Sequence, residues 1–271
     1  MAEVKGKVVW ITGASSGIGE AITYEMARRG AKLILSARRQ EELERVKAAC
    51  LATVQGLAEE NVKILTVDLA NAASLEAKAK EAEAMFGVVD VLVNNGGISQ
   101  RSLAKDTQLD VDRKVMEVNY FGAIALSKAL LPGMISRKNG HHVVIASAVG
   151  IISSPYRTGY AASKHALHGF YDGLRAELHD DGIKVTIICP GFIRTQISVN
   201  SVTGDGGKFN EMDDAQANGI APEAAARTIV KAVEKEKEEV YIGGVKEVGG
   251  IYVKRFFPSL FSQIVRKVKV R

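Results

Sequence analysis

Cysteine is scarce in this chain of 271 residues, which contains two, Cys50 and Cys189. Two cysteines are too few for a disulfide framework, so we expect both thiols to be reduced and packed inside a cytoplasmic protein. Long apolar runs are also missing, because no uninterrupted stretch approaches the roughly 20 residues that span a bilayer. The amino-terminal residues lack the apolar core of a secretory signal. Secreted and membrane-spanning classes are therefore not expected.

Negative charge is missing from the last part of the chain. Residues 251–271 carry six lysines and arginines and no acidic residue, so the formal net charge of +5 leaves −1 for the other 250 residues. A nucleic-acid-binding face spread over the molecule is therefore not expected. The same segment contains Phe256, Phe257, Leu260, Phe261, Ile264 and Val265. Such a basic amphipathic tail could contact an anionic membrane surface, a neighbouring subunit or the chain's own lid at about 196–220.

Short apolar runs alternate with longer helical patterns along the chain. The apolar runs predict strands at Lys7–Thr12, Ala31–Ser36, Val62–Val67, Val89–Val93, His142–Ala146, Lys184–Cys189 and Glu239–Ile242. The helical patterns lie near residues 17–29, 40–58, 71–86, 108–136, 157–181 and 222–237. This alternation predicts an α/β fold with a Rossmann-type, doubly wound, seven-stranded parallel sheet flanked by helices. No repeat or linker marks a second domain, so we expect residues 1–271 to form a single domain.

A glycine-rich turn follows the first predicted strand, where residues 12–19 read TGASSGIG. Glycine allows a tight turn and close backbone approach, and the helix that follows presents free N–H groups to a pyrophosphate. Many turns contain glycine only because they need a positive φ, but the position between a strand and a helix favours a dinucleotide site. The predicted contacts are Gly13, Ser15, Ser16, Gly17, Ile18 and Gly19.

The end of the second predicted strand indicates which dinucleotide binds. A protein that binds NAD usually places an acidic residue about 20 positions after the glycines, to hold the ribose hydroxyls. This chain has Arg38 and Arg39 there instead. An arginine can pair with the 2′-phosphate of NADP(H), although both side chains could also simply face solvent. We therefore predict NADP(H), with Asp68 at the end of the third strand either accepting a hydrogen bond from the adenine or capping the strand.

Tyr160 and Lys164 lie four residues apart on a predicted helix, so both side chains occupy one face. A free phenol with a pKa of about 10 is a poor acid–base catalyst at neutral pH. A nearby ammonium stabilises the phenolate and lowers that pKa. Such a pair is commonly a surface feature, but Ser147 follows the apolar strand HVVIA at the carboxyl edge of the sheet. The three residues therefore form a candidate acid–base site.

The motifs resemble those of the short-chain dehydrogenase/reductase family in their order and spacing. The matching segments are TGASSGIG at 12–19, Asn94-Asn95-Gly96-Gly97, Asn119, Ser147, YAASK at 160–164 and PGFIRT at 190–195. The segments NNGGISQRS, VMEVNYFG and GYAASKHALHGF further resemble the dehydrogenase/reductase member 7 and 7B branch. The family's common Asn-Asn-Ala-Gly reads Asn-Asn-Gly-Gly here, a difference that alters no reactive group.

The resemblance implies roles for four catalytic residues. Tyr160 would be the general acid in carbonyl reduction and the base in alcohol oxidation. Ser147 would hydrogen-bond the substrate oxygen and stabilise its developing negative charge. Lys164 would hold the nicotinamide ribose and lower the pKa of Tyr160. Asn119 would hold a water that links Lys164 to solvent.

The resemblance also implies further cofactor contacts, a lid and an assembly. The contacts are Asp68, Leu69, Asn95, Gly96, Tyr160, Lys164, Pro190, Gly191, Ile193 and Thr195, with support from Asn94. The polar, glycine-rich segment at about 196–220 follows the nicotinamide turn and would be a substrate lid, the alternative being a disordered loop. The helices near 108–136 and 157–181 would pair across a two-fold axis and give a homodimer or homotetramer.

Together these expectations define an NADP(H)-dependent carbonyl reductase or alcohol dehydrogenase that transfers hydride without a metal. The lid and the apolar tail favour a hydrophobic small-molecule substrate. His165 and His168 lie about one helical turn apart but lack the carboxylate or cysteine pattern of a metal site in the sequence. Two alternatives are a 3-oxoacyl-thioester reductase and a non-catalytic NADP(H)-binding sensor or scaffold. A sensor would need the glycines and Arg38, but not an acid directed at a carbonyl.

Overall fold

A parallel sheet of seven strands forms the centre of the protein, whose computed structural model describes residues 3–267. The strands are β1 Val8–Thr12, β2 Lys32–Ser36, β3 Val62–Ile64, β4 Val91–Asn94, β5 Gly140–Ile145, β6 Ile183–Pro190 and β7 Glu239–Ile242. They lie in the order β3-β2-β1-β4-β5-β6-β7, and every pairing is parallel. The order reverses between β1 and β4, so a crevice for a ligand opens there at the carboxyl ends of the strands.

Helices cover both faces of this sheet. They are α1 Gly17–Arg28, α2 Gln40–Thr53, α3 Ala72–Phe86, α4 Leu109–Met116, α5 Gly122–Ser136, α6 Thr158–Glu177, α7 Asp214–Ala217, α8 Pro222–Glu234, α9 Val245–Phe256 and α10 Pro258–Val265. Helices α1, α2 and α8 pack on one face, against Val9 and Ile11 of β1. Helices α3 and α5 pack on the other face, against Val8 and Trp10. Burial on both faces explains why the strands are apolar throughout rather than alternating.

The predicted doubly wound sheet is confirmed, and β7 has its predicted bounds. The other strands differ from their predicted bounds by one to three residues. The largest difference is in β3, which ends at Ile64, although Leu65 and Val67 still donate hydrogen bonds to the neighbouring backbone. The second helix ends at Thr53 rather than near residue 58, because the backbone becomes extended at Val54.

The predicted helix near 108–136 has a wider turn at its centre. Helix α4 passes into a π-helical turn, Glu117–Phe121, which continues into α5. Such turns frequently occur at functional sites, and this one contains Asn119. Within residues 3–267, the run Leu109–Ser136 is the one helix long and apolar enough to cross a membrane. Its residues Leu126 and Leu130 are buried in the core with side chains of α3, so we assign the run to the core.

The carboxyl-terminal part of the chain folds back onto the body. Helices α9 and α10 were not predicted from periodicity, because Gly249 and Gly250 lower the helix propensity of α9. Lys254 of α9 donates to the backbone carbonyl of Ile151, which ties the helix to the segment after β5. The predicted tail therefore contacts its own chain. Its last residues, including Lys269 and Arg271, lie outside the described range.

Candidate active site

A continuous cavity of about 1320 Å³ lies at the carboxyl ends of β1, β4, β5 and β6. It extends from the glycine-rich turn past Tyr160 to side chains of α9 and α10. The predicted site residues that line it are Gly13, Ser15, Ser16, Gly17, Ile18, Arg38, Arg39, Asp68, Leu69, Asn95, Gly96, Ser147, Tyr160, Lys164, Pro190, Gly191, Ile193 and Thr195. Gly19 and Asn119 are buried and do not belong to its lining. The fold therefore brings almost every predicted site residue to one cavity.

The glycine-rich turn is packed too closely to accept side chains. A Cβ atom at Gly19 would lie 2.2 Å from the carbonyl oxygen of Gly13 and 2.5 Å from Nδ2 of Asn95. Gly13 has a φ of +65°, and its added Cβ would lie 2.8 Å from Cα of Gly96. Asn95 Nδ2 donates to the carbonyl oxygens of Thr12 and Gly13, at 3.0 and 3.1 Å. The turn therefore packs directly against the segment after β4, which only glycine at positions 13 and 19 allows.

The amino end of α1 is available to an anion. Ser16 stands at the cap position, but its side chain makes no capping hydrogen bond. The first N–H groups of a helix have no intrahelical partners, and their partial positive charge suits a pyrophosphate. Gly17 and Ile18, at this end of the helix, line the cavity. The turn and the helix end together fit the phosphates of a dinucleotide.

Two arginines follow β2 beside this turn. Ala14 of the turn donates to the carbonyl of Ser36, which joins the two segments. Arg38 and Arg39 are exposed and line the cavity, and Arg39 lies 4.0 Å from the Glu42 carboxylate. In the described part of the chain, no carboxylate forms an ion pair with Arg38. The guanidinium of Arg38 is therefore available to a phosphate.

Asp68 is placed for both of the functions that the sequence left open. Its Oδ1 accepts a hydrogen bond from the backbone N–H of Ala70 at 3.0 Å, which caps the end of the third strand segment. The residue also lines the cavity next to Leu69. One carboxylate oxygen thus supports the local turn while the side chain faces the predicted adenine side. Its contact with adenine stays a prediction.

Tyr160 lies near the start of α6 and is 8% exposed. The Ser147 hydroxyl lies within hydrogen-bonding reach of this phenol. In this structure Ser147 Oγ donates to the carbonyl of Pro190 at 3.2 Å. Burial raises the pKa of the Tyr160 phenol, while Arg157, the bond to Ser147 and Arg101 act to lower it. A proton-carrying group and a hydrogen-bonding hydroxyl therefore share one part of the cavity.

Lys164 lies one helical turn after Tyr160, with Nζ 5.8 Å from the centre of the Tyr160 ring. Its Nζ donates to the carbonyl of Ile145 at 2.7 Å. Burial lowers the pKa of Lys164 to about 8. The ammonium therefore releases its proton more readily than a free lysine does.

Asn119 fixes the segment after β4 instead of entering the cavity. Its Oδ1 accepts from the N–H of Ile98 at 2.8 Å. Its Nδ2 donates to the carbonyl of Ile98 and to Oγ of Ser163, both at 2.9 Å. The amide thus joins the loop after β4 to α6 beside Lys164. The water relay that the resemblance implies for this residue stays a prediction.

A buried ionic cluster beside Tyr160 was not predicted from the sequence. Asp213 Oδ2 accepts from Arg101 Nε at 3.0 Å, from Arg101 Nη2 at 2.5 Å and from Arg157 Nη2 at 3.1 Å. We call these three residues the arginine–aspartate cluster. Arg101 and Asp213 are 112 positions apart, so no local spacing could reveal their contact. The available signal was the presence of Arg101 in NNGGISQRS, next to the predicted cofactor segment.

The segment 196–220 packs over the cavity. Ser198 and Ser201 are fully buried, and Val202 forms bridges to Gln100 and Lys208. Asp213 of the arginine–aspartate cluster belongs to this segment. The segment is therefore packed against its own chain, and its function as a lid stays a prediction.

One group of three possible metal ligands occurs among residues 3–267. Sγ of Cys189 lies 3.6 Å from Nε2 of His168 and 3.8 Å from Oε1 of Glu239. His165 instead contacts the carbonyl of Ala161 through Nδ1. The group does not line the cavity, and hydride transfer without a metal stays a prediction.

Comparisons with known proteins agree with this geometry. Residues 7–205 match the family model described as short chain dehydrogenase. A dehydrogenase/reductase SDR family protein 7-like of Anopheles gambiae is 42% identical over 264 residues, 97% of this chain and 83% of that protein. The dehydrogenase/reductase SDR family member 7B of Mus musculus is 43% identical over 264 residues, which cover 97% of this chain and 81% of the mouse protein. The crystal structure of a short-chain dehydrogenase from Streptomyces avermitilis has a TM-score of 0.80 and 30% identity, covering 97% and 98% of the two chains.

Gly19→Ala should abolish dinucleotide binding, because its Cβ would force the turn away from the carbonyl of Gly13. Titration with NADPH, followed by nicotinamide fluorescence, measures this, and we expect no binding at cofactor concentrations that saturate the wild type. Gly169→Ala is the matched control, since a Cβ there meets nothing within 4 Å. Wild-type affinity in Gly19→Ala, with circular dichroism unchanged, would contradict the assignment of the turn.

Proposed function

Because the chain belongs to the short-chain dehydrogenase/reductase family, we propose that it is an NADP(H)-dependent oxidoreductase acting on a carbonyl or secondary alcohol. The resemblance to the member 7 and 7B branch is confirmed by the same relatives. One observation carries the proposal: Tyr160, Ser147 and Lys164 meet in the cavity that the phosphate-binding turn also lines. A sensor of NADP(H) would not need a buried phenol held by a serine at this position.

Tyr160 carries the proton of the proposed reaction. In reduction its phenol donates to the substrate oxygen, and in oxidation the phenolate takes the proton of the alcohol. Ser147 turns its hydroxyl from the Pro190 carbonyl to the substrate oxygen and holds that oxygen beside the phenol. A bound nicotinamide supplies the hydride in reduction and accepts it in oxidation. Lys164, with its pKa of about 8, can return a proton to Tyr160 near neutral pH.

The remaining wall of the cavity supports an apolar substrate. Val253, Phe261, Ile264 and Val265 of α9 and α10 line it, opposite the polar residues of the glycine-rich turn. The segment 196–220 covers the same region and is the lid of this proposal. A hydrophobic aldehyde or ketone therefore has both a place to bind and a cover that excludes water.

Tyr160→Phe removes the proton donor while keeping the ring. We expect kcat for carbonyl reduction to fall by about 10²- to 10⁴-fold, with NADPH affinity unchanged. The assay is NADPH oxidation with a panel of apolar aldehydes and ketones that includes a 3-oxoacyl thioester. Tyr252→Phe, at a tyrosine that is 53% exposed, is the matched control. Tight NADPH binding without turnover of any compound by the wild type would favour the sensor, and selective turnover of the thioester would favour that reductase.

The choice of NADP(H) depends on Arg38. Arg38→Ala should weaken NADPH binding by about tenfold or more and leave NADH binding unchanged, because a guanidinium–phosphate pair is lost. Fluorescence titration with each cofactor measures both affinities. Arg113→Ala, at an exposed arginine paired with Asp110, is the control. Equal affinity of the wild type for the two cofactors would overturn the assignment.

The outer face of α9 and α10 is the surface that we propose for peripheral membrane contact. Phe256 and Phe257 are 68% and 62% exposed, and Leu260 is 50% exposed. The exposed Arg255 precedes these apolar side chains, and the exposed Arg266 and Lys267 follow α10. Exposed rings beside basic residues complement an anionic lipid surface. Since the opposite face of the pair lines the cavity, an apolar substrate could enter directly from the lipid.

The double substitution Phe256→Ser, Phe257→Ser should lower binding to phosphatidylserine vesicles in a co-sedimentation assay. Vesicles of phosphatidylcholine alone should bind the wild type less, because the electrostatic attraction is absent. Leu109→Ser, at a leucine that is 61% exposed on α4, is the control. Equal sedimentation of the wild type and the double variant would contradict the proposal.

The homodimer or homotetramer implied by the resemblance is also a proposal. It would bury the surfaces of α5 and α6 together with the π-helical turn, where Phe121 is 47% exposed. Sedimentation equilibrium of the purified protein distinguishes a monomer from either assembly.

A further inference from the structure

Two buried arginines lie beside the proposed proton carrier. We propose that the arginine–aspartate cluster keeps one uncompensated positive charge next to Tyr160, and that Arg101 and Arg157 act as positioning residues that favour the ionised phenol. This inference rests on the proposed function for the role of Tyr160. In the family resemblance, Lys164 is the residue that lowers the pKa of Tyr160. The inference gives a share of this effect to the two arginines.

The charges within the cluster do not balance. Arg101, Arg157 and Asp213 are 4%, 6% and 6% exposed, so solvent does little to screen them. Two guanidinium groups share one carboxylate, which leaves one positive charge. Burial lowers the pKa of Arg157 to about 10, so this guanidinium is still charged at neutral pH. The cluster is therefore a buried cation overall.

Arg101 accounts for most of the bonding to Asp213. It donates to the carboxylate through both Nε and Nη2, and through Nη1 to Oγ of Ser99 and the carbonyl of Gln100. Arg157 donates to Asp213 through Nη2 alone. The aspartate thus forms a close pair with one arginine, and the charge of the second is left largely uncompensated.

Arg157 stands where a cation is unfavourable for stability. Its Nε is buried without a hydrogen-bond partner. It is also the residue that caps the amino end of α6, where the helix dipole repels positive charge. Its only compensating ring contact among the described residues is Phe192, 5.4 Å from the guanidinium carbon. A buried charge retained against these costs, in the wall of the cavity, is typical of a functional site.

The position of the cluster directs its field at Tyr160. Arg157, at the cap of α6, precedes Tyr160 by three residues, and both arginines line the cavity with the phenol. Lys164 also lies near the phenol, with Nζ 5.8 Å from the centre of the ring, but its Nζ donates to the Ile145 carbonyl. Burial raises the pKa of the Tyr160 phenol, and among charged groups it is Arg157 and Arg101 that lower it. The two arginines therefore oppose the effect of burial.

Other charged groups face this region from the neighbouring segments. They are Asp112 and Lys114 on α4, Lys208 and Asp214 in the lid, Lys246 and Glu247 on α9, and Arg38, Arg39 and Asp68 at the cofactor side. None of them is buried, so water and salt screen their interaction with the phenol more strongly than that of the cluster.

The test measures the ionisation of residue 160 directly and needs no turnover. A polyfluorinated tyrosine, whose phenol is more acidic than that of tyrosine, replaces Tyr160 in the full-length protein, and fluorine NMR follows its titration. Arg157→Gln removes the excess charge and should move the titration to higher pH by about one unit or more. Asp213→Asn raises the net charge and should move it to lower pH. Arg157→Lys keeps the charge and should stay close to the parent protein.

Opposite shifts in Arg157→Gln and Asp213→Asn are the decisive result, because a general loosening of the site would move both in the same direction. Arg101→Gln should shift like Arg157→Gln and replaces it if that variant does not fold. Arg113→Gln, on the exposed face of α4, is the control for remote charge. Absent shifts, or shifts of one sign, would overturn the inference. Failure of the proposed function appears separately, as missing turnover in a protein whose residue 160 still titrates as described.

Discussion

The close approach of the glycine-rich turn to the end of β4 is the contact on which the site depends. Thr12 Oγ1 accepts from the backbone N–H groups of Asn95 and Gly96, at 3.1 and 3.0 Å, and the Asn95 amide returns two hydrogen bonds to the turn. This exchange is possible only because Gly13 and Gly19 have no side chains between the two segments. The same exchange holds the amino end of α1 and the segment after β4 at one edge of the sheet. Backbone packing thus creates the cofactor side of the cavity.

The side of the cavity that we propose to be catalytic is held by buried polar groups. Asn119 joins the loop after β4 to α6 and lies on a π-helical turn, so the geometry around Lys164 is fixed from two directions. Buried polar groups are stabilising only when their hydrogen bonds are satisfied. Asn119 meets that condition, whereas Arg157 does not. Asn119 therefore stabilises the site, whereas the position of Arg157 is explained better by its effect on Tyr160.

Much of the fold and of the site could be predicted because the signals are local. Apolar runs between helical patterns indicated the order of the strands and of most helices. The differences from the structure are at element ends, at the π-helical turn and in the unpredicted helices α7, α9 and α10. The glycine spacing before α1 and the spacing of Tyr160 and Lys164 on α6 are also short-range signals, because each involves residues within one or two helical turns of one another. Their common position in the cavity could also be predicted for most of these residues, because the carboxyl ends of parallel strands lie at one edge of the sheet.

Residues close together in the chain were enough to predict the parallel sheet, the glycine-rich turn and the helical pairing of Tyr160 with Lys164. Three-dimensional packing alone brings Asp213 to Arg101 and Arg157, and places α9 and α10 in the wall of the cavity. Those contacts join segments up to 112 positions apart, so they depend on how β4, α6 and the lid are placed around the sheet. Pairing of charges inside a protein is set by burial and distance in space, and neither has a period that can be read along a chain.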